Sequence, residues 1–284
     1  MKLIVEQIDK NIDKYSDFVD GVILGLKDFS LLNQVSYEID EIRNISLKFP
    51  KLEIFVKIDK NIFNNELDKL KEVLLLLNEI RVAGVFFYDV ALVELKKKMH
   101  LDNLNLIWSQ THMVTNFKTC DYYYNNGCKY ALLSKEITLD EILDINRLSK
   151  INVMVEVFSL PNVSYSKRHL VSNYYHDSLI NSSSKSLDIV EKVTKSKYRV
   201  IEEDSGTGFI LDDILNGTSV IKDLYDNNVS YIIFREYGID NFLEIIEDTR
   251  KYLLSSCTLD SYVSKYKGIG NTGFFFKKTI YKVK

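Results

Sequence analysis

Only two prolines, Pro50 and Pro161, occur in 284 residues, and no Gly/Ser/Pro-rich stretch separates one half of the chain from the other. Domain boundaries fall in such linkers, so their lack predicts one domain over 1–284. The low-complexity patch Asn181-Ser182-Ser183-Ser184-Lys185-Ser186 is short and reads as a loop. Cysteine is also sparse. Cys120, Cys128 and Cys257 form no even disulfide framework and no C-x-x-C pair. Three dispersed thiols cannot fill the four positions of an ordinary iron–sulfur site. No apolar run approaches the roughly 20 residues that span a bilayer; the longest, Val73 to Leu77, sits between charges. Met1-Lys2-Leu3-Ile4-Val5 is charged too early for a signal peptide. These absences predict a cytoplasmic protein with no membrane contact and no metal or cofactor of its own. A basic excess is missing too, since the net charge is −3. A protein that holds a nucleic acid alone usually shows one; a partner subunit could still supply it.

What is present is a globular composition, 46% hydrophobic and 27% charged. Short β-branched runs alternate with helical patterns, the signature of parallel βα units. The runs are Lys2 to Val5, Gly21 to Gly25, Glu53 to Ile58, Gly84 to Asp89, Leu104 to Ser109, Tyr130 to Lys135, Val153 to Phe158 and Tyr231 to Arg235. Eight such units predict a (β/α)₈ barrel with its working face at the strand C-termini. Leu67-Leu70-Val73-Leu74-Leu77 gives one helix an apolar stripe, and Thr138-Leu139-Asp140-Glu141 opens another with a capping box. The seventh and eighth runs are separated by far more chain than a βα connection needs. There, two runs around Asp204-Ser205-Gly206-Thr207-Gly208 predict a β-hairpin, within an insertion over about 159–211 that roofs the mouth.

Polar residues at strand ends point into a barrel's mouth. Here they are Lys57 and Asp59, Tyr88 and Asp89, Ser109 and Gln110, Lys135 and Glu136, Glu156, and Arg235 with Glu236. Asp59 and Asp89 also suit helix caps. Glu156 lies inside an apolar strand, where a carboxylate is costly unless paired; alternation alone leaves it pointing either inward or outward. Lys167-Arg168 offers cations for a carboxylate or phosphate, or else a solvated turn. No G-x-S-x-G, H-E-x-x-H or G-x-x-x-x-G-K-S/T motif occurs, and the four histidines have no ligand spacing.

Ser166-Lys167-Arg168-His169-Leu170-Val171-Ser172-Asn173-Tyr174 resembles the Ser-Lys-Arg-x-Leu-x-x-Asn-Tyr signature of short collagenase-like peptidases, family 32 of the unassigned type. Further segments agree in order: Ser109-Gln110-Thr111 with Thr115-Asn116, Leu133 to Ile142, Glu202-Glu203-Asp204 with Gly206-Thr207, and Thr272-Gly273-Phe274 followed by Thr279 to Lys284. The resemblance implies prephenate-dependent hydroxylation of the tRNA wobble uridine to 5-hydroxyuridine, beside a longer, cysteine-bearing paralogue that would carry any iron–sulfur cluster. Under it, Glu136, Glu156 and Glu203 would orient the donor or move protons. Gln110, Lys135, Lys167, Arg168, Asn173, Tyr174, Asp204 and Arg235 would bind substrate. The family's His-Gly after strand seven is absent, Phe158-Ser159-Leu160-Pro161-Asn162 standing there, and Lys135 replaces the arginine of its Arg-Glu pair. A peptidase or a non-catalytic scaffold for the paralogue are the alternatives.

Overall fold

A computed structural model describes residues 1–32, 35–237 and 239–277; the motif segment Thr279 to Lys284 lies outside them. Seven strands succeed one another: β1 (Lys2–Glu6), β2 (Gly21–Gly25), β3 (Glu53–Ile58), β4 (Gly84–Phe87), β5 (Leu106–Trp108), β6 (Cys128–Leu132) and β7 (Asn152–Ser159). An insertion supplies β8 (Asn162–Ser166), β9 (Ser186–Val190), β10 (Lys197–Glu203) and β11 (Gly206–Leu211). The short β12 (Leu215–Asn216) and then β13 (Tyr231–Arg235) follow. Strands β1 to β7 and β13 pair in parallel, and β13 joins β7 to β1, so the sheet closes into an eight-stranded barrel.

Helices α1 (Ile39–Lys48), α2 (Leu67–Ile80), α3 (Ala91–Lys98), α4 (Phe117–Asn125) and α5 (Leu139–Leu148) follow strands β2 to β6. The insertion contributes α6 (Leu170–Asp177), and α7 (Ile221–Asp226), α8 (Phe242–Leu253) and α9 (Leu259–Tyr266) complete the outer layer. Between β1 and β2 stands only a short 3₁₀ turn, Ile12–Lys14. The capping box at Thr138 forms, its hydroxyl accepting from the Glu141 amide while Glu141 accepts from Thr138 N–H. The stripe on α2 buries Leu70, Val73, Leu74 and Leu77. Among the described residues, no helix is long and apolar enough to cross a membrane.

Because strand side chains alternate, the barrel has two cores. Ile4, Ile23, Phe55, Phe86, Ile107, Met154 and Ile233 fill its interior. Their neighbours Leu3, Val5, Ile54, Val153 and Ile232 pack outward with the helices. The insertion differs from expectation in extent. The β10–β11 hairpin forms, but as the middle of a four-stranded antiparallel sheet in the order β8-β11-β10-β9.

Candidate active site at the barrel mouth

Two residues beyond the interior layer, on the same face, Ile4 gives way to Glu6, Phe55 to Lys57, Met154 to Glu156 and Ile233 to Arg235. These four, with Asp59 and Lys135, line a cavity of about 250 Å³ at the C-terminal mouth. Glu156 Oε2 accepts from Arg235 Nε at 2.7 Å, and its Oε1 accepts from Lys135 Nζ at 3.1 Å and Ser159 Oγ at 2.5 Å. Arg235 also pairs with Glu6. Glu6 in turn accepts from Lys57 Nζ at 2.7 Å, and Lys57 lies 3.7 Å from Asp59. The result is a chain of alternating charge, with Lys57, Lys135 and Arg235 balancing Glu6, Asp59 and Glu156. Burial without such pairing would be strongly unfavourable. Burial lowers the Arg235 guanidinium to about 10, which leaves it cationic at neutral pH.

The rest of the cavity is mixed. Leu31, Leu160 and Ile210 supply apolar wall, and Tyr88, Tyr165 and Tyr237 supply rings and hydroxyls. Gln7 and Asn162 also line it, and their buried Oε1 and Oδ1 atoms accept no hydrogen bond among the described residues. Such a cavity suits a small molecule carrying an apolar ring, hydrogen-bond donors and acidic groups that exchange with Glu6 or Glu156 at the cations.

The roof is held by two carboxylates. Asp59 Oδ1 accepts from Leu31 N–H at 2.8 Å, and Glu203 Oε2, from the insertion, accepts from Leu32 N–H at 3.0 Å. Lys57 donates to the Leu31 carbonyl at 3.1 Å. The Leu32 side chain sits against Gly208, where an added Cβ would lie 2.4 Å from Leu32 Cδ1. Burial raises both the Asp59 and Glu203 carboxyls above the ordinary carboxylate range.

Other expected site residues scatter. Gln110 is spent on scaffolding: it donates to the Tyr88 carbonyl at 2.5 Å and accepts from Trp108 Nε1 at 2.9 Å. Glu136 is outside the mouth, 3.3 Å from His112 Nδ1, whose Nε2 is 3.1 Å from the Val163 carbonyl. Lys167, Arg168, Asn173, Tyr174 and Asp204 are exposed and do not line the mouth. Lys167 Nζ stands 3.8 Å from the Phe63 ring centre. Glu202 is buried, accepting from Ser172 N–H and Oγ and from Lys185, so it ties α6 to the insertion sheet. Asp89 accepts from the Ile62 and Ala91 amides next to α3, whose N-cap is Val90; Asp59 does not cap a helix but holds the roof. Glu6, Asn162 and Tyr165 also line the mouth, though no motif in the sequence marks them. The parity of Glu6 with Ile4 was the available signal.

Burial pushes the thiols of Cys120 and Cys128 up to about 12. Protonated thiols in apolar surroundings do not fit the thiolate ligation of an iron–sulfur cluster. Among the described residues, no group of three or more His, Cys, Asp and Glu side chains is placed to hold a metal.

The model of peptidase family U32 matches residues 6–241. The chain is 24% identical over 256 residues to tRNA hydroxylation protein P2 of Bacillus subtilis (strain 168), covering 81% of each protein. With tRNA hydroxylation protein P1 of the same strain it shares 23% over 158 residues, which is 55% of this chain and 37% of P1. Of solved structures, 3-hexulose-6-phosphate synthase from Salmonella typhimurium superposes with a TM-score of 0.52 at 10% identity, covering 90% of this chain and 100% of that one; at that identity the likeness is one of fold. A family match that runs from the first mouth residue, Glu6, past the last, Tyr237, takes in the whole constellation, and the chain belongs to peptidase family U32.

Proposed function

We propose that this chain is a subunit of a tRNA hydroxylation system that converts the wobble uridine to 5-hydroxyuridine with prephenate as donor, working in the cytoplasm beside a longer, cysteine-bearing paralogue. The observation that carries the reading is the similarity to P2 over 81% of both chains. In this reading the mouth takes the donor. Lys57, Lys135 and Arg235 exchange their partners Glu6 and Glu156 for the donor's carboxylates, and Arg235 offers two-pronged binding that a lysine lacks. Glu156 orients Arg235, while Asp59 and Glu203, with carboxyls raised by burial, are the groups suited to hold or pass a proton. Donor anchoring is thereby assigned to the mouth rather than to Lys167 and Arg168 on their exposed turn. An iron–sulfur cluster belongs to the partner in this scheme, because the buried thiols of this chain do not fit one.

The family's name raises proteolysis as a second activity, and the mouth gives it no support. Ser109 Oγ donates to the Phe87 carbonyl at 2.8 Å, and His112 is engaged by Glu136 and Val163 rather than by a serine. The test is mass spectrometry of tRNA nucleosides from cells lacking this protein. Loss or sharp reduction of 5-hydroxyuridine is expected, with recovery on complementation. Unchanged 5-hydroxyuridine would overturn the proposal.

A further inference from the structure

We propose that a second groove beside the mouth binds a single-stranded stretch of RNA; this rests on the reading above and names where its tRNA lies. The groove, of about 610 Å³, runs between the barrel rim, the turn joining β9 to β10, and the segment Asn271–Lys277. Thr111, His112, Lys135, Asn162 and Val163 line both it and the mouth, so the two are continuous. A strand lying in the groove would bring a base to the edge of the donor cavity.

The groove's chemistry differs from the mouth's. In the mouth each lysine is locked to a carboxylate. In the groove, exposed Lys195 and Lys197 have no ion pair among the described residues, and Lys277 is 4.8 Å from the centre of the Phe274 ring. Phe274 is itself 39% exposed. The backbone on either side of it is anchored: Gly273, at φ +56°, donates to Asn271 Oδ1 at 2.6 Å, and buried Phe275 accepts from the Leu139 amide through its carbonyl at 2.9 Å. A half-exposed aromatic ring with a lysine over one face, in the same groove as two ammonium groups without carboxylate partners among the described residues, is suited to stack a base on its open face and to track a phosphate backbone. Three carboxylates also line the groove, and each is engaged. Glu136 meets His112, Asp213 accepts from Asn271, and Asp212 lies 3.9 Å from Arg199. An acidic peptide is the competing occupant. It would use the lysines but leave the Phe274 face without a stacking partner.

The experiment is fluorescence anisotropy with the full-length protein and a labelled RNA hairpin whose loop carries a wobble-position uridine, titrated across a salt series. The slope of log affinity against log salt is expected to shrink by about 0.7 for each phosphate contact removed in Lys195→Ala/Lys197→Ala. Phe274→Ala is expected to weaken binding by about 5- to 150-fold. Lys97→Ala, on α3 outside the groove, is the control and should bind as wild type. These are surface changes, and circular dichroism melts should match wild type. Absence of RNA binding, or groove variants that bind like the control, would overturn the proposal. So would displacement of the RNA by polyglutamate with an affinity insensitive to Phe274→Ala, which would assign the groove to an acidic peptide. The outcomes separate from the proposed function. Groove variants that bind normally while cells lacking the protein lose 5-hydroxyuridine sink the groove alone. Unchanged 5-hydroxyuridine in those cells sinks the functional reading, whatever the anisotropy gives.

Discussion

Glu156 on β7 and Arg235 on β13 meet at 2.7 Å across neighbouring strands, and each is also held by a second partner of opposite charge, Lys135 and Glu6. Glu156→Ala removes the acceptor for a guanidinium, an ammonium group and a hydroxyl at once. Breaking a buried pair from one side costs about 3–5 kcal/mol, so urea unfolding should show a loss of that order. Glu156→Met with Arg235→Met should lose less than the sum of the two single changes, because neither charge is then stranded. Additive losses would mean that the pair is not coupled.

The roof carboxylates predict a pH effect. Burial raises Asp59 above its unfolded value of about 3.9. The folded state therefore binds more protons than the unfolded one within that window, and stability falls as pH rises through it. The contribution is complete below the unfolded value and lost above the folded one. Asp59→Asn keeps an oxygen for the Leu31 amide and cannot ionise. It should be more stable than wild type near neutral pH, with the difference shrinking in acid. Parallel stability–pH curves for the two proteins would refute this.

If the mouth binds the donor as proposed, Arg235→Lys keeps the charge but cannot bridge Glu6 and Glu156. Complemented cells should show a strong loss of 5-hydroxyuridine, since a charge-assisted hydrogen bond contributes about 1.5–3 kcal/mol. Arg168→Ala, on an exposed turn outside the mouth, should leave the modified nucleoside in place. The opposite ranking would return donor binding to the basic turn.

Gly206 closes the β10–β11 hairpin at φ +143°, where an added Cβ would lie 2.2 Å from the Ser166 carbonyl oxygen. Gly206→Ala should cost on the order of 1–3 kcal/mol from backbone strain. Since that hairpin ends in Glu203, the Leu32 amide should gain hydrogen-exchange rate as well. Unchanged thermal stability would contradict the argument.

Strands β2, β3 and β13 were legible to the residue because β-branched and aromatic residues dominate their runs, with Lys57 the one charge inside them, and turn signals bound them. The sixth strand was less so: expected over Tyr130 to Lys135, it is paired over Cys128–Leu132. Leu133 stays buried beyond the ladder, so hydrophobicity outlasts the strand and cannot mark its end. The insertion sheet was half-read. β8, Asn-Val-Ser-Tyr-Ser, is polar and half-buried and pairs with β11, distant in sequence, while β9, Ser-Leu-Asp-Ile-Val, is largely exposed and lacks the apolar alternation that would mark it. Glu156 was recognised as costly, but its direction needed one neighbour of known facing; Met154 inside the barrel provides it. Lys167 and Arg168 drew notice by charge, a property that says nothing of which way a turn leaves a sheet.

The closure of the barrel has a consequence for synthesis. β1 and β13 are neighbours, with Glu6 in register with Arg235, so the first strand made waits for the last. A nascent chain stalled short of residue 231 presents an open sheet with the Glu6 and Glu156 carboxylates facing no guanidinium. Pairings this distant along the chain form slowly, and prematurely terminated products carry no complete mouth. The mouth is complete only once the two ends of the barrel have met.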